Sequence, residues 1–318
     1  MSESYKLRKE NNCLNCGAEV TGKYCSKCGQ LNRIPKMQVN ELFHEVLHSI
    51  IHFDGKFFET VKLLITKPGF LTTEYISGKR SKYLPPVQMY LFTSAIFFFL
   101  LNTFFLESPN AEQEPTITDK KKIEKSIKVD FSGNNKNIET VEGYIKNQLV
   151  LPESKRDGLL KRYFKTQEIR INKKFKDDPK KTFTELMDYF IHSFSSLLFV
   201  SLPLIAIWFK LIFIKRKEFN LVDHFIFITH NYIFCYVTMF LNVLLKLPAS
   251  IKGLAFMENI AMLVFIWIIY YGYKSIKNVY QLTRGQTIWK YGLTLTGSLF
   301  IFSFLFIIYL FLSLLQIQ

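Results

Sequence analysis

Apolar residues along this chain fall into long runs separated by polar stretches, and the run lengths decide the fold class. Val87 to Leu106 is 20 residues without a charge. That length crosses a hydrocarbon core of about 30 Å at about 1.5 Å per helical residue. Four more runs follow. Ser193–Ile214 is stopped by Lys215-Arg216-Lys217, and Phe225–Leu247 is bounded by Pro248. Leu254–Tyr273 contains Glu258 as its one charge, and Gly292–Leu315 is the last. Tyr270, Tyr271, Tyr273, Tyr280, Trp289 and Tyr291 gather near run ends, where interfacial aromatic side chains settle. The pattern predicts an all-α, multi-span membrane helical bundle of about five transmembrane helices.

The stretches between the runs have their own periods. Over residues 38–66, Phe43, Val46, Leu47, Ile50, Phe57, Val61 and Leu64 recur at helical steps. This predicts an amphipathic helix too charged to span, lying on the membrane surface or on the bundle. Lys67-Pro68-Gly69 ends it. A short Thr72–Ile76 turn, the basic Gly78-Lys79-Arg80-Ser81-Lys82 and then Pro85-Pro86 lead into the first span. Residues 107–185 carry 18 basic and 14 acidic side chains. Two pieces keep a helical period, Val141, Tyr144, Ile145 and Leu149, and then Leu159, Leu160, Tyr163 and Phe164. The segment reads as a helical extramembrane insert with a loose, polar start around 107–136. The expected organisation is 1–36 ribbon and linker, 37–86 juxtamembrane helix and basic loop, and 87–106 first span. The insert at 107–185 and a four-helix membrane region at 186–318 complete it.

Composition adds a metal site. Four of the five cysteines, Cys13, Cys16, Cys25 and Cys28, form two Cys-x-x-Cys pairs, each followed by glycine, Gly17 and Gly29. Each pair can grip one ion from a tight turn, and glycine accepts the positive φ that aims backbone amides at the sulfurs. Four thiolates suit closed, tetrahedral, structural Zn²⁺; iron is the main competitor, and an unmetallated redox pair is the other reading. So short a segment cannot bury a core, so the metal supplies its folding energy. The first 40 residues lack the apolar centre of a signal sequence. The ribbon is therefore expected in the reducing cytosol, where paired thiols bind metal more often than they form disulfides.

Charge then orients the spans. The net charge is +15, spread over the chain, with +5 in residues 1–86. In a membrane protein such residues fix topology and meet anionic lipid, which disfavours the nucleic-acid reading. With the ribbon inside, Lys215-Arg216-Lys217 and Lys274, Lys277, Arg284 and Lys290 all fall in cytosolic loops. The short outer loop near 248–253 holds one lysine, Lys252. A re-entrant first run, leaving 107–185 cytosolic, is the alternative topology. Lys79, Arg80 and Lys82 are candidate contacts for lipid phosphates.

The knuckle pairs, Lys67-Pro68-Gly69, Tyr75, Gly78-Lys79-Arg80, Tyr83 and Pro86 before a Phe-rich span together resemble a domain-of-unknown-function family of Bacteroidota. Its members have an N-terminal double Cys-x-x-Cys and several spans. The Asp223-His224 pair and His230 look like a further feature of that family. The resemblance covers 13–106 well and 186–318 loosely. It implies a protein of the bacterial cytoplasmic membrane and no known activity.

Catalytic candidates are few. His44, His48 and His52 are spaced i, i+4, i+8 in one helical lane. With Asp223, His224 and His230, and with Glu41, Glu45 and Asp54, they compose a candidate polar or second metal site. A histidine lane in the headgroup zone, and structural hydrogen bonds for His224 and His230, are the competing readings. No His-Glu-x-x-His, phosphate-binding loop, dinucleotide fingerprint or Gly-x-Ser-x-Gly elbow occurs. The expected function is a non-catalytic scaffold or regulator whose ribbon binds a cytosolic protein partner or docks on its own bundle. A membrane enzyme or small-solute transporter with a histidine-lined cytoplasmic pocket is the alternative.

Overall fold

The computed structural model describes residues 7–36, 39, 56–101, 103, 140–246 and 256–316. The expected histidine lane, His44, His48 and His52, and the carboxylates Glu41, Glu45 and Asp54 lie outside the described residues, as does the start of the insert. Among the described residues the chain is all-helical, with nine α-helices and no strand beyond three isolated bridges in the ribbon. These are α1 Phe57–Thr66, α2 Phe70–Ile76, α3 Pro86–Leu101, α4 Val141–Val150, α5 Leu159–Asp177, α6 Pro179–Ile212, α7 Leu221–Lys246, α8 Phe256–Tyr280 and α9 Arg284–Gln316. They divide between two compact units, Met1–Asn102 with Leu198–Ser303, and Thr103–Leu197 with Phe304–Gln318.

Among the described residues, three helical stretches are long and apolar enough to cross a membrane: Phe194–Ile212, Leu221–Leu244 and Arg284–Leu312. Pro86–Leu100 of α3 is apolar but shorter. The Leu254–Tyr273 run falls mostly in α8, which continues past it to Tyr280. Several helices begin before their apolar runs because polar capping residues precede the apolar face. Asp178 Oδ1 accepts the Lys181 amide at 3.0 Å, with Pro179 at the first helical position of α6. Asp223 Oδ2 accepts the Asn220 amide at 2.7 Å at the start of α7. Gln286 Oε1 accepts the Thr283 amide at 3.4 Å at the start of α9, the N3 half of a Thr-x-x-Gln capping box.

In the first unit α7 is the central helix, with α3, α8, α1 and α2 packed on it. Its buried face includes Ile226, Phe227, Ile233 and Phe234. Residue pairings give the helix directions. Ser201 meets Tyr232, Phe209 meets Phe227 and Phe213 meets His224, so α6 and α7 are antiparallel. Phe234 stacks on Tyr271 while Phe227 packs on Tyr280, so α7 and α8 are antiparallel. Lys290 donates to the Ile212 carbonyl and Trp208 to that of Leu293, which makes α6 and α9 antiparallel. Tyr75 packs on Val222 and Ile226, Tyr90 lies beside Tyr232, and Phe97 lies beside Tyr236. Residues 75–97 thus climb in the same direction as α7. The 77–85 loop, the 213–220 turn and the 281–283 turn therefore share one end of this unit.

The α1–α2 hairpin grips α8 near that end. Tyr271 donates its hydroxyl proton to the Leu64 carbonyl at 2.7 Å, and the Asn278 amide donates to that of Pro68 at 2.8 Å. Gly69 turns the chain with φ of 79°. A Cβ there would lie 2.8 Å from Val279 Cγ2 and 3.0 Å from the Ser275 carbonyl oxygen. Only glycine meets both demands.

In the second unit, α4 and α5 are joined by a short 3₁₀ turn, Glu153–Lys155. Tyr144 is buried, but Ile145, Leu149 and Leu159 of the expected apolar faces are exposed. A polar hub holds the pair together. Asp157 Oδ2 accepts from the Tyr144 hydroxyl at 2.8 Å and from Gln148 Nε2 at 3.0 Å, and Lys161 pairs with its other oxygen. The Lys161 hydrogen bond, then the Tyr144 one, hold the Asp157 carboxyl below its usual range. Burial pushes the Tyr144 hydroxyl up to about 12.

Candidate metal centre and its docking loop

The four N-terminal cysteines converge. Their sulfurs all lie within 4.8 Å of one another, and Cys13–Cys28 and Cys16–Cys25 approach to 3.5 Å. A tetrahedral ion with metal–sulfur bonds of about 2.3 Å sets its sulfurs about 3.8 Å apart, so the cluster fits one such ion. Among the described residues these four are the only group placed to hold a metal.

The ribbon is two copies of one knuckle, offset by 12 residues. The Cys13 amide donates to the Ala18 carbonyl at 2.8 Å, as Cys25 does to Gln30 at 2.9 Å. Gly17 donates to Cys13, and Gly29 to Cys25, each at 2.9 Å. The bridges Asn12–Glu19 and Tyr24–Leu31 repeat the same offset. Gly17 and Gly29 have φ of 74° and 71° with no neighbour near a Cβ, so backbone conformation alone asks for glycine. Cys13, Val20 and Cys25 are the buried apolar residues, too few to hold a fold unaided. Burial pushes the Cys28 thiol up, but the Gln30 amide, the Asn15 side chain and the neighbouring sulfurs outweigh it and bring it down to about 6. At Cys16 the Ala18 amide pulls down, while burial and the three other sulfurs push up to about 11.

The ribbon rests on the 77–81 loop through contacts that sequence reading did not single out. Gln30 uses its whole carboxamide. Nε2 donates to the Gly78 carbonyl at 2.8 Å, and Oε1 accepts the amides of Arg80 and Ser81, each at 3.1 Å. Leu14 lies over Gly78, where a Cβ would come within 2.6 Å of its Cδ1. Gly78 also has φ of 96°. Arg80 donates to the Pro35 carbonyl and sits over the Tyr75 ring at 4.9 Å. Lys79 pairs with Glu74 at 2.8 Å. The signal available in the sequence was the Gly-Gln ending of the second knuckle, but a glutamine two residues past a ligand carries no pattern that names its distant partner.

Asp223, His224 and His230 are all buried, and they point to different neighbours. Asp223 caps α7. His224 Nδ1 meets the Tyr280 hydroxyl at 2.7 Å, amid Phe213 and Phe219. His230 Nδ1 meets the Thr72 hydroxyl at 3.0 Å. A hydroxyl group thus meets Nδ1 of each imidazole, as expected of structural hydrogen bonds. Between them they form no metal-holding group with a third ligand among the described residues.

A family model described as "Protein of unknown function (DUF3667)" matches residues 54–98. That segment contains α1, the Gly69 turn, α2, the docking loop and most of α3. No curated protein matches the chain, and no solved structure does.

Proposed function

We propose that this chain is a multi-pass protein of a bacterial cytoplasmic membrane and acts as a non-catalytic scaffold or regulator. Its N-terminal ribbon binds Zn²⁺ structurally through Cys13, Cys16, Cys25 and Cys28 and docks on its own membrane core. The observation that carries this reading is the Gln30 carboxamide clasped on Gly78, Arg80 and Ser81. It favours intramolecular docking over a ribbon left free for a soluble partner. Three further features support it. His224, His230 and Asp223 serve as hydrogen-bond partners within the core. Among the described residues, three helices are long and apolar enough to cross a membrane. The 213–220 turn, which shares an end with the docking loop, carries Lys215, Arg216 and Lys217, and Arg284 opens α9 at the same end, as cytosolic loops do. That end faces the cytosol in this reading. Lys79 and Arg80 are engaged within the protein, so contact with anionic headgroups falls to Lys82 and to the exposed Lys215 and Lys217.

Protease sites placed ahead of Leu7 and within 247–255 test the arrangement in spheroplasts. External protease is expected to cut at 247–255 and to spare the N-terminal site until the cells are lysed. Cleavage ahead of Leu7 in intact spheroplasts would overturn the cytosolic ribbon.

A further inference from the structure

Both knuckles touch the 77–81 loop, and each does so from beside its metal ligands. Leu14 lies between Cys13 and Cys16 and packs over Gly78. Gln30 lies two residues past Cys28, and its carbonyl is held by the Cys25 amide at 2.9 Å. The same residue thus closes the second knuckle with its backbone and grips the loop with its side chain. The loop leads inward. Arg80, whose amide Gln30 holds, lies over Tyr75, and Tyr75 packs on Val222 and Ile226 in the first turns of α7.

We propose that the ribbon is a metal-dependent latch: with the metal bound, Gln30 and Leu14 hold the 77–81 loop, and without it they release the loop and loosen the Arg80–Tyr75 contact at the start of α7. This rests on the zinc reading above. Metal binding supplies the folding energy of so small a ribbon, and the positions of Leu14 and Gln30 depend on folded knuckles. Loss of the metal therefore removes a three-point carboxamide clasp and an apolar contact together. The hold of Lys56 Nζ on the Ser81 carbonyl at 3.0 Å comes from outside the ribbon and remains, so the loop loosens without unfolding the core.

Hydrogen exchange on the full-length protein in detergent micelles reads this directly, because the Arg80 and Ser81 amides donate to Gln30. The comparison is between zinc-loaded protein, chelator-treated protein and Gln30→Ala, with zinc content measured on each. Chelation is expected to speed exchange at Arg80 and Ser81 about tenfold. Gln30→Ala is expected to do the same with its zinc retained, and chelation should add little to it. If chelation removes zinc and speeds exchange at Gly17 and Gly29 but leaves Arg80 and Ser81 protected, the latch is overturned and the zinc ribbon stands. Gln30→Ala exchanging like the parent at Arg80 and Ser81 also overturns the latch. A parent protein without zinc, or one whose Gly17 and Gly29 amides ignore chelation, overturns both readings.

Discussion

Gly69→Ala tests how the α1–α2 hairpin is seated on α8. The φ of 79° at this position costs an L-residue about 1–2 kcal/mol. The new methyl group also meets Val279 Cγ2 at 2.8 Å and the Ser275 carbonyl oxygen at 3.0 Å. Neither neighbour gives way easily. Val279 is β-branched and stiff within a helix, and the oxygen belongs to the α8 backbone. Overpacking of this kind costs about 1–3 kcal/mol, so the variant should lose about 2–5 kcal/mol in all. The hairpin would lift off α8, taking with it the hydrogen bonds from Asn278 to Pro68 and from Tyr271 to Leu64. Gly292→Ala is the control. Its φ is not positive, and nothing lies within 4 Å of a Cβ there. Helix propensity alone should make it neutral or more stable by about 0.5–1 kcal/mol. Equilibrium unfolding in mixed micelles ranks the three proteins. A Gly69→Ala protein within about 0.5 kcal/mol of the parent, the range of an inconsequential substitution, would refute the seating described above.

Two other sites give independent expectations. His224→Phe or Tyr280→Phe alone strands a buried hydrogen-bonding group and should cost about 1–3 kcal/mol. The double variant should cost less than the sum, as a double-mutant cycle on unfolding would measure, and strict additivity would argue against the paired role. In the 140–177 region, the Asp157 carboxyl is held below its usual range. Its stabilisation is therefore complete above the ordinary carboxylate range and is lost as pH falls through the lowered folded value. Asp157→Asn should flatten that acid limb in a protease-protection profile of the region, and an unchanged acid limb would count against the hub.

Signals that are local in the sequence were legible. The double Cys-x-x-Cys with its glycines is complete within 18 residues, and the sulfurs converge as the spacing requires. The long apolar runs gave helices because a span satisfies its backbone within itself. The helices that start at Pro179, Leu221 and Arg284 begin ahead of their apolar runs, because capping residues are polar and carry no apolar signal. In α4 and α5 a helical period was visible, but the contacts that join them are polar and centre on Asp157, so Ile145 and Leu149 stay exposed. Long-range pairings were not legible. Gln30 on Gly78, Thr72 on His230 and Gly69 against Val279 join residues far apart in the chain. No periodicity encodes such partners. His224 and His230 drew notice as chemistry-bearing residues, yet a buried imidazole with a hydroxyl partner has the same sequence signature as a ligand.

The central claim is that four cysteines alone hold one structural zinc ion in a ribbon docked on its own membrane core. Zinc-edge X-ray absorption on the purified full-length protein, with metal content measured alongside, tests it most directly. One zinc per chain with four sulfur neighbours at about 2.3 Å is the expected result. Nitrogen or oxygen neighbours at about 2.0–2.2 Å, which would bring a histidine or carboxylate into the shell, would contradict it, as would iron or no bound metal.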